Sequence, residues 1–295
     1  MMDFRLKVFR SVALNLSFTR ASQELFISQP AISKHIQELE AEFQVSLFNR
    51  MGNKISLTKA GQLLLDRCED IFDDYKRLDY DMNSLRKKYN GELRIGASTT
   101  IAQYVLPTYL AKFITNYPDI STSMLNGNSR EIEEALQAGK IDIGLVEGVV
   151  RQPQLKYTLF LKDELVPIVN TNNKLAKKDE IDIDELQHVP LALRERGSGT
   201  LDVIIKELAR HNLKLSSMNV MVYLGSTESI KLFLEHSDCM GIVSVRSVSE
   251  DLLAGKFKVI EINDLKMERQ FDFVQKRGDN KGLPALFMRF LNTTK

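Results

Sequence analysis

The stretch Ser17–Glu40, SFTRASQELFISQPAISKHIQELE, decides the fold of the N-terminal part of the chain. Ser17 or Thr19 is the expected N-cap of a short helix, because a hydroxyl side chain accepts a hydrogen bond from the first helical N–H groups. Ser28, followed two positions later by Pro30, provides a second helix start, since proline is tolerated in a first turn. The stretch therefore predicts two helices joined by a tight turn.

The second predicted helix has an apolar face and a polar face. Its apolar residues recur at steps of four, three and four, namely Ile32, Ile36, Leu39 and Phe43. We expect them to pack on the first helix of the pair and on an upstream helix, 3–15, through Phe4, Val8, Phe9 and Val12. The other face carries Ser28, Gln29, Pro30, Ser33, Lys34 and Gln37. Because short polar and cationic side chains on a helix can bind base edges and phosphates in a major groove, this face predicts DNA binding.

A hairpin is predicted directly after these helices. The extended runs Leu47–Arg50 and Lys54–Leu57 flank a turn that contains Gly52. Such a hairpin would form a wing beside the second helix, with Arg50 and Lys54 placed to contact phosphate. The alternative for these two residues is an ordinary solvated charge on a hairpin.

Many small helical proteins contain amphipathic helices, so periodicity by itself does not indicate DNA binding. The identities of individual residues are more informative. The informative positions are Phe18-Thr19-Arg20-Ala21, Leu25, 28–33, Ile36, Leu39-Glu40, Leu47-Phe48, Arg50, Leu57-Thr58 and Gly61. This ungapped pattern resembles the N-terminal signature of LysR-type transcriptional regulators. The resemblance implies a winged helix-turn-helix DNA-binding domain over residues 1–58. Leu16, Ser22 and Phe43-Gln44 depart from it, where glycine, alanine and Leu-Gly are typical.

A long helix is predicted after Thr58. Its apolar residues recur with a mean spacing of 3.5 and are Leu64, Cys68, Ile71, Tyr75, Leu78, Met82, Leu85 and Tyr89. A sustained heptad pattern with charged residues on the other faces is typical of a helix that pairs with a second copy. We therefore predict a dimerisation linker over residues 59–90, with contacts through Leu64, Ile71, Tyr75, Leu78, Met82 and Leu85. The alternative is an amphipathic helix that packs on its own domain.

Charge is unevenly distributed along the chain. The 295 residues are 43% hydrophobic and 27% charged, as in soluble globular proteins, and the net charge is only +1. Residues 1–60 contain eight basic and five acidic residues, whereas residues 66–81 contain three basic and seven acidic ones. The positive charge thus lies where DNA would bind.

From Gly91 onward, short strands alternate with helices. The strand candidates are 92–98, 120–125, 141–146, 164–169, 190–193, 220–224, 241–245, 258–262 and 271–275. The helix candidates are 104–116, 130–138, 199–212, 226–236, 248–253 and 286–290. Such alternation predicts mostly parallel sheets covered by helices, and residues 91–295 suffice for two lobes.

Polar residues follow several of these strands, where the ligands of open α/β sheets bind. They are Ser98, Thr99, Thr100, Asn128, Ser129, Arg194, Arg196, Gly197, Ser198, Thr200 and Thr227. Each one alone is explained as an ordinary helix cap. Together they predict a cleft for a small anionic effector, with Gly197–Thr200 as the main candidate because its glycines allow close backbone approach.

The segments GELRIGAS, VLPTYLAKFITNYP, GKIDIGLVEG and RERGSGT resemble the LysR effector domain, which is similar to periplasmic binding proteins. The resemblance implies two α/β lobes, 91–162 with 267–295 and 163–266, and crossings near Leu161–Glu164 and Leu265–Glu268. It also implies promoter DNA and a small-molecule effector as partners, with a homodimer or tetramer as the assembly. RNA polymerase is a further candidate partner.

Two other classes of protein fit less well. An enzyme has no support, because Gly-x-Ser-x-Gly, P-loop and dinucleotide-binding motifs are absent. A periplasmic-type solute-binding module would fit residues 91–295 alone, but no export signal is recognised, so a cytoplasmic protein without membrane contact is expected.

The cysteines and histidines predict no cofactor. Cys68 and Cys239 lie far apart, so neither a disulfide framework nor oxidant sensing through a regulatory cysteine pair is expected. The four histidines have no metal-ligand spacing, and no metal is predicted. They are His35, His188, His211 and His236.

Overall fold

A computed structural model describes residues 3–51, 54–85, 89–278 and 281–294. The chain divides into two compact units, Met1–Lys88 and Tyr89–Lys295, which are described separately.

Three helices begin the first unit, as predicted. They are α1 (Phe4–Asn15), α2 (Phe18–Leu25) and α3 (Gln29–Phe43). Ser17, rather than Thr19, caps α2 by accepting a hydrogen bond from the Arg20 N–H, and Ser28 caps α3 by accepting one from the Ala31 N–H. The expected helix-turn-helix is confirmed.

The core of the first unit matches the predicted stripe except at two helix ends. Ile32, Ile36 and Leu39 are buried against Val8, Phe9, Val12 and Ala21. The predictions that Phe4 and Phe43 are buried are wrong, because these side chains are 42% and 46% exposed. Phe4 is the first residue of α1 and Phe43 the last of α3, so both lie at helix ends, although the Phe4 ring still packs edge-on against His35 of α3.

Each of these helices ends at a non-glycine residue in the left-handed region. Leu16, Phe26 and Gln44 have φ of 45°, 55° and 56°. Leu16 and Gln44 are two of the positions at which glycine is typical of the LysR signature. Glycine is favoured there because a Cβ atom strains a left-handed backbone by about 1 kcal/mol. At Leu16 and Gln44, the departure from the signature therefore adds backbone strain but does not change the path of the chain.

The predicted hairpin is confirmed as β1 (Phe48–Met51) paired antiparallel with β2 (Lys54–Leu57). The carboxylate of Glu40, in α3, accepts a hydrogen bond of 2.7 Å from the Leu47 N–H at the start of the hairpin. The Thr58 hydroxyl closes its other end by donating to the Ser46 carbonyl at 2.7 Å. Helix α3 and the hairpin are therefore joined by hydrogen bonds as well as by sequence.

Helix α4 (Lys59–Leu85) follows, and its apolar residues fall into two groups. Leu64, Cys68 and Phe72 pack into the core of the first unit, where Leu64 and Phe72 are only partly buried. The role of Leu64 in dimerisation stays a prediction. The residues further along are exposed, namely Ile71, Tyr75, Leu78 and Met82. The side chain of Leu85 lies outside the described residues. Tyr89, at the predicted end of the seam, lies in the second unit and packs edge-on against Tyr117.

The second unit is built on a nine-stranded sheet. Its order is β4-β3-β5-β13-β6-β10-β8-β9, and β11 also pairs with β6. Lobe 1 contains β3 (Gly91–Ser98), β4 (Ile120–Gly127) and β5 (Ile143–Glu147). Lobe 2 contains β8 (Leu191–Arg194), β9 (Val220–Leu224), β10 (Met240–Ser244) and β11 (Phe257–Val259). The long strands β6 (Leu155–Asn170) and β13 (Met267–Lys276) join the lobes, and β7 (Glu180–Ile181) pairs with β12 (Glu261–Ile262).

Helices cover this sheet. They are α5 (Thr99–Tyr104), α6 (Leu106–Asn116), α7 (Ser129–Gln137), α8 (Ile183–Leu186), α9 (Gly199–Arg210), α10 (Thr227–Glu235), α11 (Val245–Leu253) and α12 (Gly282–Thr293). Short 3-10 turns occupy Lys174–Lys177 and Leu215–Ser217. The predicted helix 104–116 is divided, because Pro107 restricts the residue before it and starts a new helix.

The expectation of mostly parallel sheets is correct only for the outer strands. β3 is parallel to β4 and β5, and β8 is parallel to β9 and β10. The centre is antiparallel, because β6 carries the chain out of lobe 1 and β13 carries it back, from Met267 opposite Leu165 to Lys276 opposite Leu155. Their register shifts between Phe271 and Asp272. The first half of β6 was not predicted, since its alternation of polar and apolar residues is weak.

In the described part of the chain, no helix is both long enough and apolar enough to span a bilayer.

Gly61 lies at a close contact between the start of α4 and the backbone at Leu47, and a substitution can test this contact. A Cβ atom on Gly61 would lie 2.1 Å from the Leu47 carbonyl oxygen, which is backbone and cannot move freely. Gly61→Ala should therefore lower the free energy of unfolding of the full chain by about 1–3 kcal/mol, measured by urea denaturation. Gln62→Ala, at the exposed neighbouring position, is the control. An equal effect of the two substitutions would contradict the close approach.

Candidate functional site

The first candidate site is the polar face of α3. Gln29, Pro30, Lys34 and Gln37 are exposed, and Ser33 is partly exposed. The Gln29 side-chain amide donates to the Ser33 hydroxyl at 3.2 Å. Lys34 makes no ion pair with any described residue, so its ammonium group is available to an external anion. The face can therefore offer a cation, an amide and a hydroxyl to a ligand.

The remaining predicted DNA contacts are less well defined. The Ser28 hydroxyl is occupied by its cap hydrogen bond to the Ala31 N–H at 3.4 Å. Arg50 and Lys54 lie on the two strands of the hairpin, but their side chains lie outside the described residues.

The second candidate site, in the second unit, is a group of buried hydroxyls that we call the hydroxyl cluster: Ser98, Thr99, Thr100, Ser129, Ser198 and Thr200. Ser98 donates to a carboxylate oxygen of Glu147, and Ser129 donates to the Glu147 carbonyl at 2.7 Å. The hydroxyl of Thr99 donates to the Gly127 carbonyl at 3.1 Å. Thr100 differs from these, because its buried hydroxyl oxygen has no hydrogen-bond partner.

Arg194 is a buried cation beside this cluster. Its side chain is 1% exposed, and Nε and Nη2 bind the two carboxylate oxygens of Glu195 at 2.9 and 3.1 Å. Nη2 also reaches the Thr99 hydroxyl at 3.4 Å. Nη1 is buried without a partner. A guanidinium N–H without a partner costs free energy in a dry site, so this atom is suited to bind an anion.

Two glycines let the lobes meet at the cluster. Gly197 has φ of 89°, and its carbonyl accepts a hydrogen bond of 3.3 Å from the Arg130 N–H. A Cβ atom on Gly199 would lie 1.9 Å from the Glu147 carbonyl oxygen. Only glycine permits this approach of α9 to the end of β5. The predicted importance of 197–200 thus has a definite cause, which is backbone contact between lobes.

The structure does not bring all of the predicted effector residues into one set of contacts. Asn128 forms a capping box with Glu131, which is the ordinary helix-cap role. Arg196 is exposed and forms no ion pair with a described residue. Thr227 is buried at the start of α10, close to the Gly225 carbonyl that accepts from Arg194 at 3.3 Å.

A buried ionic network that the sequence did not reveal lies next to the cluster. Arg269 in β13 binds Asp163 at 2.7 Å, the Thr200 hydroxyl at 2.8 Å and Glu147 at 3.5 Å. Ser244 donates to Asp163 at 2.8 Å. The available signal was the alternation in β13, which places Arg269 on the buried side between Met267 and Phe271. A charge at such a position indicates a buried partner.

Burial perturbs several titratable groups near this network. Burial raises the pKa of Asp202, and the negative charge of Glu147 raises it further. Burial likewise raises the pKa of Glu133, although hydrogen bonds from Tyr157 and Gln152 oppose the shift. Burial also raises the pKa of Tyr104, whose hydroxyl donates to Glu228 across the lobes. The region therefore disfavours additional negative charge on the Glu147 side.

Both cysteines are free thiols that are buried in the structure. Burial raises the pKa of Cys68 to about 11, so the thiol is protonated at neutral pH. Cys239 is also buried and unpaired with another cysteine. Among the described residues, no group of three or more His, Cys, Asp or Glu side chains is arranged to hold a metal ion.

Comparison with known proteins identifies both units. The family model described as "Bacterial regulatory helix-turn-helix protein, lysR family" matches residues 4–62, and "LysR substrate binding domain" matches residues 86–294. The chain belongs to the LysR family. LysR-type proteins are DNA-binding transcriptional regulators modulated by small molecules, which fits a protein without an enzymatic role.

Individual relatives agree with this assignment. The chain is 30% identical over 269 residues to the HTH-type transcriptional regulator CysL of Bacillus subtilis (strain 168), covering 91% of this chain and 89% of CysL. The regulatory domain of Synechocystis PCC6803 CcmR, solved in complex with 2-PG, is 26% identical with a TM-score of 0.63, covering 70% of this chain and 97% of that one. Full-length CbnR, solved with its target DNA, shares the fold at 22% identity and a TM-score of 0.64, with complete coverage of both chains.

The buried network predicts that substitution of Arg269 lowers the free energy of unfolding much more than substitution of Arg246 does. Arg269→Gln would leave Asp163 and Glu147 without their buried cation, and should lower the free energy of unfolding by about 3–5 kcal/mol. Arg246→Gln is the matched control, because Arg246 is 43% exposed and 3.6 Å from Asp163. Its effect should stay below about 1 kcal/mol. Similar losses for both variants in urea denaturation would show that Arg269 does not carry the network.

Proposed function

We propose that this LysR-family regulator responds to a small anion bound between the two lobes of its second unit. The observation that carries the proposal is the buried, unpartnered Nη1 of Arg194, together with the unpartnered hydroxyl of Thr100. Buried polar atoms are nearly always hydrogen-bonded, so an unpartnered nitrogen of Arg194, which contacts Thr99, and an unpartnered hydroxyl on the adjacent Thr100 support a site for a polar ligand.

The charge of the site favours an anion of limited size. Arg194 offers a fixed cation, and Glu195 satisfies the other side of its guanidinium group while leaving Nη1 free. The Thr100 hydroxyl is a neutral donor, and the start of α9 at Ser198 adds partial positive charge. A carboxylate or a small inorganic oxyanion suits this set. The 2-PG complex of the CcmR domain supports ligand binding by the corresponding domain of a relative.

Effector binding would act by shifting the relative populations of lobe arrangements. Thr99 and Glu147 lie in lobe 1, whereas Arg194 and Gly199 lie in lobe 2, so a ligand that contacts both lobes stabilises the closed arrangement. A ligand can move this equilibrium only by its difference in affinity for the two arrangements. Bound DNA would affect effector affinity by the same factor in return.

DNA recognition is proposed for the polar face of α3, with Ser33, Lys34 and Gln37 facing base edges. The hairpin residues Arg50 and Lys54 would contact phosphates, as the sequence predicts. The family assignment supports promoter DNA as the partner. A periplasmic-type solute-binding module is the weaker alternative, because it leaves the first unit without a role.

Dimerisation is proposed for the exposed apolar residues of α4. Ile71, Tyr75, Leu78 and Met82 follow steps of four, three and four, and all four are exposed in the single chain. Exposed apolar residues on one helical stripe favour pairing with a second α4. Two DNA-binding units would then read a partly palindromic site. A tetramer is a further proposal from the family resemblance. Contact with RNA polymerase and a cytoplasmic location are also proposed.

The DNA proposal is tested by replacing Ser33 and Lys34 with alanine. Loss of a phosphate or base contact and of a hydroxyl should reduce operator affinity at least about tenfold, because each good base contact contributes about 1–3 kcal/mol. Fluorescence anisotropy with the cognate promoter measures the effect. Lys59→Ala, on an exposed position at the start of α4, serves as a charge control. Unchanged operator affinity in the double variant would exclude α3 as the reading face.

The effector proposal is tested by Thr100→Val, which removes a hydroxyl while retaining the side-chain shape. Sulfate, phosphate and acetate are screened by thermal shift, and the anion that stabilises the full chain is followed by calorimetry. Its affinity should fall about tenfold in the variant, since a buried hydrogen bond to a charged group is lost. Thr122→Val, in β4, is the control. Equal affinity in Thr100→Val and the parent would rule out this site for the anion.

A further inference from the structure

A large open groove lies at the waist of the second unit, apart from the hydroxyl cluster. Its volume is about 1050 Å³, which is enough for a metabolite-sized ligand. None of the effector residues predicted from the sequence lines it. The groove is formed by the loop after β5, the middle of β6, the second half of α9, the start of α11 and the beginning of β13.

The lining of this waist groove is strongly cationic. Seven basic and four acidic side chains line it, for a net charge of +3, although the whole chain carries only +1. The basic residues come from all five segments, so the positive charge surrounds the groove instead of lying on one helix. A groove that concentrates one sign of charge attracts ligands of the opposite sign.

Two of these cations make no close ion pair with a described residue. Arg210 binds Glu207 at 2.7 Å and Lys266 binds Glu268 at 2.7 Å. Lys162 and Lys206, by contrast, are exposed and form no ion pair with any described residue. Lys162 lies on β6, the strand that joins the lobes, and Lys206 lies on α9 in lobe 2. Together they present two exposed ammonium groups on different elements of one groove, and Glu268 is the acidic lining residue that interacts electrostatically with Lys162.

One residue connects the groove to the hydroxyl cluster. Arg269 lines the groove, and its guanidinium group binds Thr200 at 2.8 Å and Glu147 at 3.5 Å. Its Nη2 is fully buried and has no partner. A ligand held in the groove would therefore lie beside a network that already spans both lobes.

We propose that the waist groove binds a small multivalent phosphate compound through Lys162 and Lys206, at a site separate from the anion site of the hydroxyl cluster. Phosphate groups match the arrangement, because several separated cations bind a compound with several separated charges better than they bind a single carboxylate. By contacting the joining strand and lobe 2 together, the compound stabilises one arrangement of the lobes. It thereby acts as a second regulatory ligand.

The test measures binding of two probes to the full chain by calorimetry at physiological ionic strength. Inorganic tripolyphosphate and fructose 1,6-bisphosphate are the probes, and they distinguish free polyphosphate from phosphorylated metabolites as the source. In the double variant Lys162→Gln, Lys206→Gln, the affinity for the probe that binds more tightly should fall about tenfold, because two favourable charge interactions are lost. Lys140→Gln with Lys177→Gln removes the same charge from exposed positions outside the groove, and should change affinity less than about twofold.

Further binding measurements distinguish this proposal from its alternatives. Thr100→Val should leave probe binding unchanged, so failure of the proposed anion site does not affect the result. Loss of probe binding in Thr100→Val, equal weakening in the control pair, or no binding of either probe at millimolar concentration would each overturn the proposal. It would also be overturned if the lysine substitutions weakened binding only of a DNA duplex that lacks the operator, because the groove would then serve a different partner.

Discussion

Where β6 and β13 pass between the lobes, the guanidinium group of Arg269 lies between the carboxylates of Asp163 and Glu147. All three side chains are almost completely buried, so none can be removed without leaving charge in a medium of low polarity. Glu147 also accepts a hydrogen bond from Ser98, and Arg269 donates to Thr200. The positions of the cluster hydroxyls thus depend on the same ion network that holds the crossing strands together.

In the first unit, hydrogen bonds from two side chains hold the hairpin in place in a comparable way. The carboxylate of Glu40 binds the backbone that starts the hairpin, and Thr58 binds the backbone just before it. These bonds fix the hairpin relative to the last turns of α3. A regulator that reads two features of one DNA site needs such a fixed geometry, because a helix and a wing contribute together only when their spacing is constant.

Local patterns predicted most of the fold, and tertiary pairing explains what they missed. The steps between Ile32, Ile36 and Leu39 specified a buried helical face, and the hydroxyls after each strand marked where helices start. Periodicity could not show that Phe4 and Phe43, at helix ends, stay largely exposed. It also could not pair Arg269 with Glu147, because the two lie far apart in sequence and meet only when β13 inserts between β5 and β6. The sequence predicted the helix caps and Arg194 of the proposed effector site, but not the buried network of Arg269 next to them.

The left-handed helix ends at Leu16, Phe26 and Gln44 have a consequence for how this protein can evolve. Each places a side chain where glycine would relieve about 1 kcal/mol of backbone strain, in a domain class whose total stability is roughly 5–15 kcal/mol. Glycine substitutions at these three helix ends, outside the polar face of α3, would therefore raise the stability of the first unit. Such a gain in stability would let the proposed DNA-reading face of α3 accept destabilising substitutions, so its DNA preference could change without loss of folding.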